Sequence, residues 1–350
     1  MKGGRSWLGS AALAVTSVTL LLLVLELGLR VVERAWTVRD FLAEERSLFT
    51  AGYPSQYDAD LGWIPKEGFR GSDNVWRTMV SIGSEGIRSN GRAPQAPPLH
   101  GAPILAVGDS FTFGDQVSDA ETWPAVLEGL LGRPVHNGGV FGYGLDQAYL
   151  RAEQLVPRLK PGILIFSIFP EDIYRCQLSE RTAVGKPYFE VVRKALVLKN
   201  VPVPRPTQER SRSWIRRSLG HSLLVHRLMM RCWPGVWLEG LDWWKQTVAH
   251  QNPVGVVCRL LVRLDALKHQ GVTRTYVLVQ YDAEIQHTEI LDKVIVCARG
   301  PSVQVVDLRA DLRALKARDP QAYQRLFHGH MTAEGNRFVA EKLRDVILAR

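Results

Sequence analysis

Cysteine is scarce in this chain. There are four among 350 residues, Cys176, Cys232, Cys258 and Cys297, and no two are spaced as C-x-x-C. No paired histidines complete a zinc pattern either, so the sequence calls for neither a structural metal nor a cofactor. The default reading is buried free thiols. A disulfide becomes an option where the chain faces an oxidising compartment, and spacing alone does not give its pairing. Internal repeats are also lacking, which excludes a solenoid. The chain is basic, with 44 Lys and Arg against 35 Asp and Glu, a formal net charge of +9. Yet no nucleic-acid-binding motif accompanies that charge. The arginines gather in 205–231 rather than along a helical stripe with base-reading spacing. The expected partner is therefore a membrane lipid headgroup or a glycan, not nucleic acid. Nothing fixes the oligomeric state.

Only one long uncharged run is present, Trp7 to Leu25, ending in Leu20-Leu21-Leu22-Leu23-Val24-Leu25. It is about long enough to cross a hydrocarbon core of ~30 Å at ~1.5 Å per residue. Lys2 and Arg5 precede it, as in a signal peptide, but no A-x-A cleavage site follows. Residues 1–30 are read as an uncleaved anchor in the cytoplasmic membrane. Flanking positive charges nearly balance, with Arg30, Arg34 and Arg39 after the span. The short amino-terminal tail favours N-terminus inside and the rest of the chain on the extracytoplasmic side.

Residues 31–100 are turn-rich and predict short strands or hairpin arms around Tyr57–Trp63 and Ser81–Arg88, followed by a stiff linker at Ala93–Pro98. From residue 101 the pattern changes. Short apolar runs at 103–107, 162–168, 275–279 and 303–306 read as buried strands. Helical periodicity at 122–131, 145–159, 255–270 and 333–349 alternates with them. That alternation predicts an α/β sheet with helices on both faces. Residues 176–254 interrupt it with prolines, arginines and Trp214, Trp233, Trp237, Trp243 and Trp244. They are read as an inserted helical cap or membrane-contacting element.

Three features carry chemistry. Gly108-Asp109-Ser110 directly follows the first buried run, so the serine falls at the carboxyl end of a strand, where open α/β sheets bind ligands. This is not the G-x-S-x-G elbow of α/β-hydrolases. Asn137-Gly138-Gly139-Val140-Phe141-Gly142-Tyr143-Gly144 supplies glycines whose backbone can approach a ligand and offer an N–H to an oxyanion. His330 stands on a loop ahead of the final helix, with an unperturbed pKa of ~6.5 suited to a general base.

In order and placement these residues resemble the SGNH (GDSL-like) hydrolases, over roughly 103–345 less the insert. The resemblance implies a three-layer α/β/α, flavodoxin-like, mostly parallel sheet, behind one transmembrane helix. It implies Ser110 as nucleophile, His330 as base, and the N–H groups of Ser110 and Gly139 as the oxyanion hole. Membrane-anchored bacterial members look similar further upstream, at Glu26, Arg30 and Asp60-Leu61-Gly62-Trp63. The implied activity is hydrolysis of an O-acyl ester on a glycan or lipid at the membrane. An O-acyltransferase and a silent binding protein on the same scaffold are the alternatives.

Two positions depart from the family pattern. The family's third block is Gly-x-Asn-Asp, and its asparagine, which would donate to the oxyanion, is Glu171 here in Phe169-Pro170-Glu171-Asp172; the aspartate expected two or three residues before the base histidine is replaced at His328 and Phe327. A carboxylate ~4 Å from a developing oxyanion would repel it by about 4 kcal/mol at an effective dielectric of 20, roughly three decades in rate. Three arrangements avoid this: Glu171 points away, Glu171 is protonated, or Glu171 turns to His330 as a replacement acid.

Overall fold

The computed structural model describes residues 3–36, 54–72, 77–93, 95–181, 184–205, 214–237, 246–298, 300–301 and 303–349. They fall into two units, Met1–Ser47 with Thr207–Trp243, and Leu48–Pro206 with Trp244–Arg350.

The larger unit is built on a five-stranded parallel sheet: β1 (Ile104–Val107), β2 (Val135–Asn137), β3 (Ile163–Ile168), β4 (Arg274–Val279) and β5 (Val303–Asp307). Its spatial order is 2-1-3-4-5, the flavodoxin-like order. β1 and β3 are buried along their whole lengths, and apolar but for Ser167, because helices cover both faces. A helix at Trp123–Leu131 packs on the final helix, Ala333–Leu348. Another at Leu145–Leu159 packs on Pro253–Leu264, which meets Thr288–Ile295. Strand order reverses between β1 and β3, and the loops leaving their carboxyl ends open the crevice where such sheets bind ligands.

Two hairpins from the 31–100 segment belong to this unit. In the first, Ser55–Asp58 pairs with Gly62–Pro65; in the second, Arg70–Ser72 pairs with Met79–Ser81. Asp58 accepts the N–H groups of Asp60 and Leu61 at 2.9 and 2.8 Å, closing the turn that buries Leu61 and Trp63. Trp63 donates through Nε1 to the Phe141 carbonyl at 3.0 Å, and Tyr143 donates its hydroxyl to the Trp63 carbonyl at 2.5 Å. The arm therefore braces the glycine-rich loop after β2. Pro94 of the expected linker lies outside the described residues.

The helical insert expected at 176–254 is corrected. Its first part is β structure, with strands at Leu178–Arg181, Val184–Gly185, Tyr188–Val192 and Ala195–Lys199. Alternation within Tyr188–Val192, where Phe189 is buried between less buried neighbours, is the signature that the insert's prolines and arginines obscure. Among the described residues, helices follow at Trp214–Leu219, Leu223–Cys232 and Pro234–Trp237, which belong to the smaller unit. Trp243 and Trp244 lie outside the described residues.

The thiols also depart from expectation. Cys258 and Cys297 are disulfide-bonded, while Cys176 is a buried and Cys232 an exposed free thiol.

In the smaller unit, a helix runs from Gly3 to Val32, and its Gly9–Val32 stretch is apolar and unburied by protein. At ~1.5 Å per residue it is long enough to cross a bilayer core. Thr16 and Thr19 return their hydroxyls to the Ala12 and Val15 carbonyls at 2.9 and 2.8 Å, so neither needs water.

Candidate active site

Ser110 opens a one-turn helix, Ser110–Phe113, immediately after β1. Asp109 caps that turn, its Oδ1 accepting the Phe111 N–H at 2.9 Å. Gly108 has no room for a side chain: a Cβ would stand 2.4 Å from Thr112 Oγ1 and 2.9 Å from Ser167 Cβ. The chain can therefore turn sharply enough to present the serine.

His330 Nε2 lies 2.9 Å from Ser110 Oγ. Asp109 Oδ2 lies 3.3 Å from the same oxygen. The hydroxyl has one proton to give. The histidine is the closer acceptor, and Asp109 Oδ2 is already supplied by Arg175 Nη1 at 3.2 Å. The geometry thus favours the Ser110–His330 hydrogen bond.

Several groups seat the imidazole. Its ring packs on Phe111 with centroids 4.9 Å apart, and Phe111 is stacked on Phe169 at 4.3 Å. The His330 N–H donates to Gln116 Oε1 at 2.8 Å. Buried Asn336, on the final helix, donates to the carbonyls of Met331 and Thr332 and accepts the Trp123 N–H at 2.9 Å. One amide side chain thus ties the histidine loop to the helix that follows the serine.

The N–H of Gly139, expected as an oxyanion donor, has an acceptor within the fold. Gly139 packs against the serine turn so closely that a Cβ would stand 2.4 Å from the Phe113 nitrogen. Its N–H, however, donates to Asn137 Oδ1 at 3.1 Å, so that donor is already engaged. Gly139 is a packing glycine in this structure. Among the described residues, the N–H of Ser110 and that of Gly142 in the same loop have no acceptor. Gly142 has φ +77°, a conformation that favours glycine.

Beside the serine lies a buried charge cluster that sequence reasoning missed. Arg175 donates to Asp109, to the Tyr143 carbonyl at 3.1 Å and to Asp172, and reaches Glu171 at 3.3 Å. Burial, and then the Asp109 charge, push the Asp172 carboxyl up. Burial opposes the Arg175 charge, but Asp172 and then Asp109 outweigh it and hold its pKa above the ordinary value. Arg181, bonded to the Gly142 carbonyl, is pulled down by burial and then by Arg175. The only signal in the sequence is Glu171, Asp172 and Arg175 at i, i+1 and i+4 on one short helix.

Glu171 does not stand against His330. Its carboxylate is 52% exposed and its hydrogen bond goes to Arg175. His328 is exposed on a ribbon in which Phe327–His328 pairs with His330–Met331. Neither takes the place of a triad acid.

The chain matches no family model and no curated protein. Solved structures similar to it are lipolytic proteins and esterases. One is a lipolytic protein of the G-D-S-L family from Desulfitobacterium hafniense, 14% identical, with TM-score 0.38, covering 70% of this chain and 99% of that one. Another is LAE5, an alpha/beta hydrolase enzyme from the metagenome of Lake Arreo, 15% identical, TM-score 0.41, covering 70% and 94%. A third is the acetylxylan esterase Axe2 from Geobacillus stearothermophilus, 16% identical, TM-score 0.40, covering 71% and 95%.

Proposed function

We propose that the chain is a membrane-anchored serine esterase of the SGNH type, with Ser110 as nucleophile and His330 as general base. The observation that carries this is the 2.9 Å contact between His330 Nε2 and Ser110 Oγ at the strand-order switch point. Ser110 Oγ attacks the ester carbonyl carbon as its proton passes to His330 Nε2. The carbonyl oxygen becomes an oxyanion, for which the N–H of Ser110, without an acceptor among the described residues, is the backbone donor. The C–O bond then breaks and His330 returns the proton to the departing alcohol, leaving acyl-Ser110. Water attacks the acyl carbon and gives a proton to His330, which passes it back to Ser110 Oγ as the acid leaves.

The substrate in this reading is an O-acyl ester on a glycan or lipid at the membrane face. The apolar Gly9–Val32 helix supports anchoring. The Cys258–Cys297 bridge supports the extracytoplasmic side, because such bonds persist in oxidising compartments. Alkaline carbonate should leave the protein in the membrane pellet, and protease added to spheroplasts should remove the domain; release or protection would reverse these assignments.

A fluorophosphonate probe tests the chemistry, since it labels only an activated serine. Labelling should be lost in Ser110→Ala and strongly reduced in His330→Ala. p-Nitrophenyl acetate turnover in the double variant should fall little further than in either single one, because the two residues act as a unit. Labelling that survives in Ser110→Ala would end the nucleophile assignment. No labelling of the native protein would leave the silent-scaffold reading standing.

A further inference from the structure

We infer that residues 214–237 form a lipid-facing collar, seated in the headgroup layer around the carboxyl end of the anchor. The inference rests on reading Gly9–Val32 as a membrane span and goes beyond the esterase reading.

A carboxylate inside a span is costly unless it is paired. Glu26 accepts from Arg30 Nε at 2.7 Å, one turn along the same helix. Its remaining partners come from a distant part of the chain. Ser222 Oγ donates to it at 2.9 Å, and the N–H groups of Leu223 and Leu224 donate at 2.9 and 2.8 Å. Those amides begin the helix Leu223–Cys232, whose positive end favours an anion. Arg30 Nη2 donates to the His221 carbonyl at 2.8 Å, and Arg227 pairs with Glu33 at 2.8 Å. The anchor is thus clamped to this helix at three successive turns.

The clamp sets the depth. Glu26 lies six residues before Val32, where the helix ends, or ~9 Å at 1.5 Å per residue. The start of the Leu223–Cys232 helix is therefore held level with the last turns of the span, within reach of acyl chains and headgroups. The composition suits that level. Residues 214–237 contain four arginines and no Asp or Glu. Ile215, Leu219, Leu228 and Trp233 are all exposed, Trp233 by 58%. Trp237 is buried against Val225, Met229 and Met230, with its Nε1 donating to His226 Nδ1, so the short helices hold together as a small body. On the outward face, Leu228, Arg231 and Cys232 stand at i, i+3 and i+4. Apolar side chains and an indole beside Arg231, in a segment whose only charged residues are arginines, make an interfacial surface that anionic lipid complements.

Cys232 makes this testable in the full chain, being the exposed free thiol in that face. A nitroxide on Cys232 is read in phosphatidylcholine vesicles with and without phosphatidylglycerol, and Cys232→Ser gives the background. Oxygen should relax the label severalfold more than a water-soluble nickel chelate does. Phosphatidylglycerol should lower the nickel effect further. Glu26→Gln should shift the label towards water-like accessibility. Leu20→Cys in the Cys232→Ser protein provides the deep-lipid reference. If Leu20→Cys reads lipid while Cys232 reads water, the collar is overturned and the anchor stands. Should both read water, the span itself fails. Protection of Cys232 from both relaxers that grows with protein concentration would mean that a second copy, not lipid, covers the face, and would also overturn the proposal.

Discussion

Gln116 and His330 are joined main chain to side chain: the histidine N–H donates to the glutamine Oε1 at 2.8 Å. Gln116 sits three residues past the serine turn, with φ +74°. The base is thus positioned from the nucleophile's own loop. A displacement of about 1 Å at such a site costs roughly a hundredfold in rate. Gln116→Ala should lower kcat tenfold to a hundredfold with KM nearly unchanged, and Gln116→Glu, which keeps the acceptor, should recover most of the loss. Steady-state kinetics on a p-nitrophenyl ester measures both. An unchanged kcat in Gln116→Ala would show that the loop holds its shape without this bond.

Glu171→Asn addresses the departure from the family pattern. The carboxylate is half exposed and its ion pair with Arg175 is partly solvated, so its loss should change stability by less than about 1 kcal/mol. Because Glu171 turns its carboxylate to Arg175 and has no bond to His330, kcat should stay within about threefold. A hundredfold fall in kcat with an intact melting curve would make Glu171 part of the proton-transfer machinery.

The Asp172 carboxyl predicts a pH dependence of stability. Burial, then Asp109, raise it above its ordinary value of ~3.9. Between the ordinary and the raised value, the folded chain holds a proton that the unfolded chain has released. The stabilisation is therefore full below ~3.9 and is lost as pH rises through the raised value. Thermal melts of the detergent-solubilised chain should show stability falling as pH rises from ~3.9 through the raised value and levelling off above it, with a shallower slope in Asp172→Asn. Identical slopes would mean that Arg175 keeps Asp172 ionised throughout.

The Cys258–Cys297 bridge spans a sequence separation of 39 residues. Chain-entropy reasoning gives about 4 kcal/mol for a loop of that size. A Cys258→Ser, Cys297→Ser double variant should lose about that much in urea unfolding. Non-reducing mass mapping should find the 258–297 linkage in protein taken from the membrane. Free thiols at both positions would remove the bridge as support for an oxidising location.

Periodicity made the central sheet legible. The apolar runs at 103–107 and 162–168 match Ile104–Val107 and Ile163–Ile168, and the helical stretch at 145–159 matches Leu145–Leu159. Buried strands and amphipathic helices write their burial directly into residue spacing. The insert was less legible because its short strands pair with one another and bury only single residues such as Phe189. At the site, Ser110 and His330 could be named because each stands next to a strand or helix boundary. Gln116, Asn336 and Arg175 could not. Their roles depend on contacts with partners that lie up to 214 residues away in sequence. The engagement of the Gly139 N–H by Asn137 was hidden for another reason: three glycines precede Tyr143 in that loop, and spacing does not say which N–H stays open.

Arg88 bears on how a soluble fragment should be cut. Buried in the segment between the second hairpin and β1, it donates to the carbonyls of Phe113 and Gly114 at 2.9 and 2.7 Å and of Val117 at 2.7 Å, and it pairs with Asp119 at 3.1 Å. These carbonyls end the serine turn. A fragment starting at residue 101, where the α/β alternation begins, would lose this guanidinium, leaving the Phe113 carbonyl with Asn137 Nδ2 at 3.2 Å and the Gly114 carbonyl with the Val117 N–H at 3.4 Å. It would also uncover Phe113, Phe141 and Tyr143, which pack with Leu61, Trp63, Val80 and Ile82. Crystallisation and activity work on an anchor-free version should therefore keep the chain from residue 54 onward, since a shorter piece would be expected to aggregate and to report a false absence of activity.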